Sequence, residues 1–152
     1  MSQALSTAIH RRVAALNAAR EPSLIARLPS GWAVLGDPQV IPGYCLLLPD
    51  PVVPHLNALA AGPRAQFLLD LGRLGDALIA VTGAARINYA IFGNQDPALH
   101  AHLFPRRHDE PPALATLQPW AWDWAAATRF APALHAPLIA AIAAALGAAA
   151  PA

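Results

Sequence analysis

The stretch GNQDPALHAHLFPR, residues 93–106, decides how the chain is read. Side chains two apart on an extended strand share a face. His100 and His102 therefore stand together with Ala98 and Phe104, while Leu99, Ala101 and Leu103 point oppositely, into a core under a sheet. Three accounts of the two imidazoles are open from spacing alone. Neutral rings can find hydrogen bonds on a half-exposed sheet. Two histidines on one strand can also bind Zn²⁺, given a third or fourth ligand; His108, Asp96 and Asp109 are near in sequence, at no recurring ligand spacing. Lastly, an imidazole can attack phosphorus, because an ordinary pKa of about 6.5 leaves its lone pair free near neutrality. Attack gives a covalent intermediate that water cleaves, and a second imidazole can serve as a donor to the phosphoryl oxygens.

Bulk properties narrow the field. A chain of 152 residues suits one domain with one core. It is 56% hydrophobic and 12% charged, but much of the excess is alanine, and every basic residue is arginine, a composition bias without functional content. A net charge of +1 announces no surface for a nucleic acid, and the pairs Arg11–Arg12 and Arg106–Arg107 read as solvated surface. Cys45 is the only cysteine, so no intrachain disulfide forms; within GYCLLLP it reads as a buried, inert thiol. No signal-peptide core opens the chain. The greasiest run, Leu138 to Ala150, falls short of the roughly 20 residues a membrane helix needs. A soluble, cytoplasmic protein without membrane contact is expected.

Along the chain, residues 3–20 read as a helix ended by Pro22. In GWAVLGDPQVIPGYCLLLP, the runs Trp32–Leu35 and Tyr44–Leu48 read as two antiparallel strands joined by a Pro/Gly loop. A helix follows from Pro63 to Thr82, with Pro63 in the first turn and Gly83 as the C-terminal cap. Its stripe is Phe67, Leu68, Leu71, Leu74, Leu78 and Val81, with Arg64, Asp70, Arg73 and Asp76 largely off it. Ala85–Gly93 and Ala98–Phe104 read as strands. Trp120, Trp122 and Trp124 fall at strand spacing, on one side if that segment is extended. A final helix spans Leu134–Leu146, interrupted early by Pro137. Helix, strands, helix, strands, helix argues for an α+β domain with packed helices on an antiparallel sheet. The core is about 31–106, and a Trp-rich segment and helix follow over 113–149.

NYAIFGNQDPALHAHLFPR resembles the histidine triad family of nucleotidyl hydrolases and transferases, whose signature puts histidines at alternate strand positions, often before Pro-Arg. The likeness covers Gly31 to Arg106, and DPALHAH with a later Trp-rich segment is similar to a bacterial, diadenosine polyphosphate hydrolase-like branch. It implies a histidine-triad-like fold in which His100 is the nucleophile on an α-phosphate and His102 binds the phosphate and steadies developing charge. It further implies that Asn94 and Gln95 supply amide donors to phosphate oxygens, and that Asn88 lies near phosphates or ribose. Trp32 or Ile41 would line a slot for the base, and Arg106 would touch phosphate or lie at the surface. The three tryptophans would pack over the sheet or a subunit interface. A homodimer through the long helix and an edge strand is implied, with a nucleotide substrate and neither cofactor nor metal. Two departures stand out. Ala98 holds the place of the first histidine and can neither donate nor accept, a loss worth about 10²–10⁴-fold where a general acid is required; this favours a dinucleoside polyphosphate, with its acidic leaving group, over a phosphoramidate. Asp50 and Val52 hold places where the family carries a basic residue and a histidine, with His55 left as a surface loop residue. The resemblance thus implies a nucleotidyl hydrolase working through a nucleotidyl-His100 intermediate. The alternative is a nucleotide-binding protein with weak or no catalysis because of Ala98.

Overall fold

The computed structural model describes residues 6–147. Its elements are α1 (Ala8–Asn17), β1 (Leu24–Leu28), β2 (Gly31–Leu35), β3 (Cys45–Pro49), α2 (Ala61–Thr82), β4 (Arg86–Ile91), β5 (Ala101–Arg106), α3 (Pro112–Ala115) and α4 (Pro132–Ala145). The strands form one antiparallel sheet in the order β1-β2-β3-β5-β4, and with the helices this is the expected α+β architecture.

Alternation along the strands sorts side chains to two faces. One face carries Ile25, Ala33, Leu35, Cys45, Leu47, Leu99, Ala101 and Leu103, packed against Phe67, Leu71, Leu74 and Leu78 of α2 and Ile139 and Ile142 of α4. The other carries Val34, Leu46, Leu48, Ala98 and Phe104, with Ile9, Val13 and Leu16 of α1 laid over them. The predicted division of residues 98–104 therefore holds. Regular strand pairing begins only at Ala101 and runs on to Arg106; Leu99, ahead of it, donates its N–H to the Val53 carbonyl at 2.7 Å.

Several expectations need correction. Strand β1 was not anticipated: LIARL is short, lies between Pro22 and Pro29, and its alternation is broken by a register shift between Leu24 and Ala26. Helix α1 starts at Ala8, capped by Thr7, whose Oγ1 accepts from the His10 N–H, and stops at Asn17, ahead of Pro22; residues 3–5 of the expected helix lie outside the described residues. Helix α2 ends as predicted, on Gly83 in the left-handed region at φ 68°. Leu68, however, is exposed and Asp70 is fully buried, where it accepts from the Ser30 N–H, Gln66 Nε2 and Arg73 Nη1. Helix α4 begins two residues earlier than expected and runs unbroken through Pro137. Residues 148 and 149 of the expected C-terminal helix lie outside the described residues. The tryptophan segment is not a strand, because Pro119–Ala121 winds a 3₁₀ turn that sends its indoles in different directions.

The arginine pairs are not simple surface either. Arg12 donates to Ser23 Oγ and the Leu35 carbonyl. Arg106 is buried. It pairs with Glu110 at 2.7 Å, donates to Asn88 Oδ1 and to the carbonyls of Leu114, Ala115 and Leu117, and lies 5.0 Å from the Trp122 ring centroid. It thereby fastens the segment after β5 to the sheet. Cys45 is fully buried, and desolvation pushes its thiol pKa upward, away from nucleophilic use. Among the described residues no helix is long and apolar enough to cross a membrane.

Candidate functional site

Helix α1 covers only part of its face of the sheet. Beyond it, over β5 and between Tyr44 ahead of β3 and the segment after β4, a cavity of about 770 Å³ opens, a size ordinary for small-molecule sites. His100 and His102 line it, with Tyr44, Phe104 and Trp124 on one side, Phe92 and Trp120 on another, and the segment Gly93–Asp96 between. The predicted pair is thus brought to one cavity, its ring centroids 4.9 Å apart, together with Asn94 and Gln95.

The ring of His100 is oriented by its own backbone. Nδ1 lies 2.7 Å from the Ala98 carbonyl oxygen. A carbonyl only accepts, so Nδ1 carries the hydrogen and Nε2 of the neutral ring keeps its lone pair. His102 is set differently. Its Nδ1 is 2.7 Å from the Tyr44 hydroxyl, and its pKa is held down to about 4, first by desolvation and then by the neighbouring His100. It is therefore neutral at pH 7. The pocket thus holds one imidazole with a free lone pair and a second, uncharged one beside it, an arrangement suited to attack on an electron-poor centre.

Position 98 is closed. Ala98 is fully buried under α1, and the loop beside it is tied to that helix, since Asp96 Oδ2 accepts from the Ile9 N–H at 3.0 Å. Asp96 Oδ1 is buried without a partner among the described residues. Sequence spacing did not single out Asp96 for this role, because its partner lies 87 residues away.

Other expected positions lie apart. Asn88 is on the same face of β4 as the histidines but does not line the cavity, and its Oδ1 accepts from Arg106. Arg106 is occupied by Glu110 and backbone carbonyls, so neither phosphate contact nor surface describes it. Trp32 donates to Asn17 Oδ1 beneath Arg27, and Ile41 is buried in the cluster under α1; neither lines the cavity, whose aromatic walls are Phe92, Trp120, Tyr44, Phe104 and Trp124. Of the three tryptophans, Trp124 packs edge-on against Tyr44 and Phe104 over the sheet, Trp122 lies against Arg106, and Trp120 stands half-exposed against Phe92. His55 is exposed in its loop. Among the described residues no group of three or more His, Cys, Asp or Glu is placed to hold a metal ion.

Known structures share this architecture. A histidine triad protein from Sinorhizobium meliloti superposes with a TM-score of 0.67 at 23% identity, over 78% of this chain and 85% of that one. A hypothetical histidine triad nucleotide-binding protein from Sulfolobus tokodaii gives 0.70 at 13% identity, over 90% and 91%. A histidine triad protein from Marinobacter aquaeolei gives 0.67 at 18%, over 93% and 96%. The fold is that of the histidine triad proteins. No family profile matches the sequence, and no curated protein does.

Proposed function

We propose that the protein is a nucleotidyl hydrolase acting on a nucleoside phosphate anhydride of the dinucleoside polyphosphate kind. The observation that carries this reading is His100: its Nδ1–H is held by the Ala98 carbonyl at 2.7 Å, in the wall of a cavity of about 770 Å³. Nε2 forms a bond to the α-phosphorus as the bond from phosphorus to the bridging oxygen breaks. The leaving polyphosphate carries away the electron pair. Water then attacks phosphorus, breaks the N–P bond and releases a nucleoside monophosphate. His102 steadies the phosphoryl oxygens, and the exposed amides of Asn94 and Gln95 supply further donors at the mouth. With alanine at 98, the leaving group departs without a proton from that position, which a polyphosphate tolerates better than an amine.

The test is intact mass spectrometry without acid after brief mixing with a dinucleoside polyphosphate. A nucleotide adduct on His100, absent in His100→Ala, supports the reading; full turnover in His100→Ala ends it.

The closed position 98 favours a second reading, a nucleotide-binding protein with little or no turnover. Saturable binding of AMP by calorimetry with no hydrolysis across a panel of mono- and dinucleotides would select it. Either reading goes with a homodimer, supported by exposed Leu68 and Leu69 on α2 and Tyr89 on the edge strand β4; sedimentation velocity giving a monomer at micromolar concentration would remove it.

A further inference from the structure

We infer that Tyr44 is a positioning residue that fixes the tautomer of His102, so that this ring offers Nε2–H as a donor and leaves His100 as the sole lone-pair imidazole of the cavity. The catalytic use of that donor rests on the nucleotidyl-transfer reading above; the tautomer does not.

A neutral imidazole has one N–H and one lone pair. The Tyr44 hydroxyl and His102 Nδ1 lie 2.7 Å apart, and among the described residues this is the only partner of the hydroxyl. Were Nδ1–H the donor, the buried phenolic hydrogen would be left with no acceptor, an arrangement that costs the desolvation of that group. The phenol therefore donates, Nδ1 accepts, and the hydrogen of His102 sits on Nε2. The two rings thus carry their hydrogens on opposite nitrogens: Nδ1 in His100, set by the Ala98 carbonyl, and Nε2 in His102, set by Tyr44. One is a lone-pair donor to phosphorus, the other a hydrogen-bond donor to oxygen.

Tyr44 is built in to hold this bond. It is 3% exposed and lies parallel to Phe104, with centroids 4.7 Å apart, while Trp124 meets it edge-on at 5.5 Å. Its carbonyl accepts from the Gly36 N–H and from Gln39 Nε2, both at 2.8 Å. Gly36 is required by the same ring, since a Cβ there would collide with the Tyr44 side chain. The glycine of VLGD, the tyrosine of PGYC and the second histidine of HAH are thus one device spread over three segments.

The experiment is ¹⁵N-detected NMR of the imidazole nitrogens in the ligand-free protein at pH 7, with His102→Gln used for assignment. The expected pattern is Nε2–H for His102 and Nδ1–H for His100. Tyr44→Phe keeps the ring and removes the donor. It should turn His102 into a tautomer mixture, leave the His100 signals in place, and lower kcat on a dinucleoside polyphosphate about tenfold with KM changed less than threefold. A wild-type His102 in the Nδ1–H form, or an unchanged His102 pattern in Tyr44→Phe, overturns the inference. If Tyr44→Phe does not fold, the wild-type spectrum decides alone, and Gly36→Ala, which displaces the ring, should broaden or shift the His102 signals only. The expected spectrum in a protein that never forms an adduct would sink the nucleotidyl-transfer reading and leave Tyr44's role standing; an adduct with the opposite tautomer would do the reverse.

Discussion

One face of the sheet is treated in two ways. Over β2 and β3 it is sealed: Ile9, Val13 and Leu16 of α1 form one buried cluster with Val34, Leu46 and Leu48, and Ala98 is shut within it. Around His102 and Phe104 of β5, aromatic side chains wall a cavity instead. The boundary runs between positions 98 and 100. A residue two places upstream of His100, on the same face, is core; His100 and His102 are site. The difference teaches that alternation assigns a face, whereas what covers that face assigns a role.

The sharpest break of this contrast is His100→Ala, on the open side. It should lower turnover of a dinucleoside polyphosphate by about 10³-fold or more, with the circular dichroism spectrum retained. Retained activity would mean that the cavity is not where the chemistry happens.

Ala98→His tests the closed side. Restoring a histidine there is expected to overpack the seam under α1 and cost about 1–3 kcal/mol in urea unfolding, with no gain in turnover. Higher activity at unchanged stability would show that position 98 belongs to the open side after all.

Acid should weaken the fold through His102. Its folded pKa of about 4 lies below the ordinary 6.5, so between those values the unfolded chain binds the extra proton. Its contribution is complete above pH 6.5 and is lost as pH falls toward 4, on the order of 2 kcal/mol. Denaturant melts of wild type and His102→Gln across this range should converge at the acid end; a constant gap would refute the assignment.

The smallest effect concerns the tie between the two regions. Asp96→Ala removes the acceptor for the Ile9 N–H and should cost about 1 kcal/mol, with faster hydrogen exchange confined to the first turn of α1.

Much of this was legible in the chain. The alternation of residues 98–104 placed leucines inward and histidines outward, because a strand has a strict period of two. Phe67, Leu71, Leu74 and Leu78 of the α2 stripe and the stop at Gly83 followed from helical spacing and a backbone that only glycine adopts easily, while Leu68 turned out exposed. Strand β1 was hidden by its shortness and its register shift. Asp70 looked like surface because its partner Ser30 is 40 residues away. The three tryptophans do not share one side, because the segment bends through a 3₁₀ turn at Pro119–Ala121 instead of extending, although Trp124 packs over the sheet as expected.

By itself, then, the sequence determined the fold class, the order of most elements, and which residues share a face with the two histidines, since these depend on local periods and turn residues. Only the tertiary structure decided that α1 closes over Ala98, that Arg106 is spent on the backbone of the following segment, and that Tyr44 reaches His102 across 58 residues. Those facts depend on which distant surfaces meet, and no local period records that.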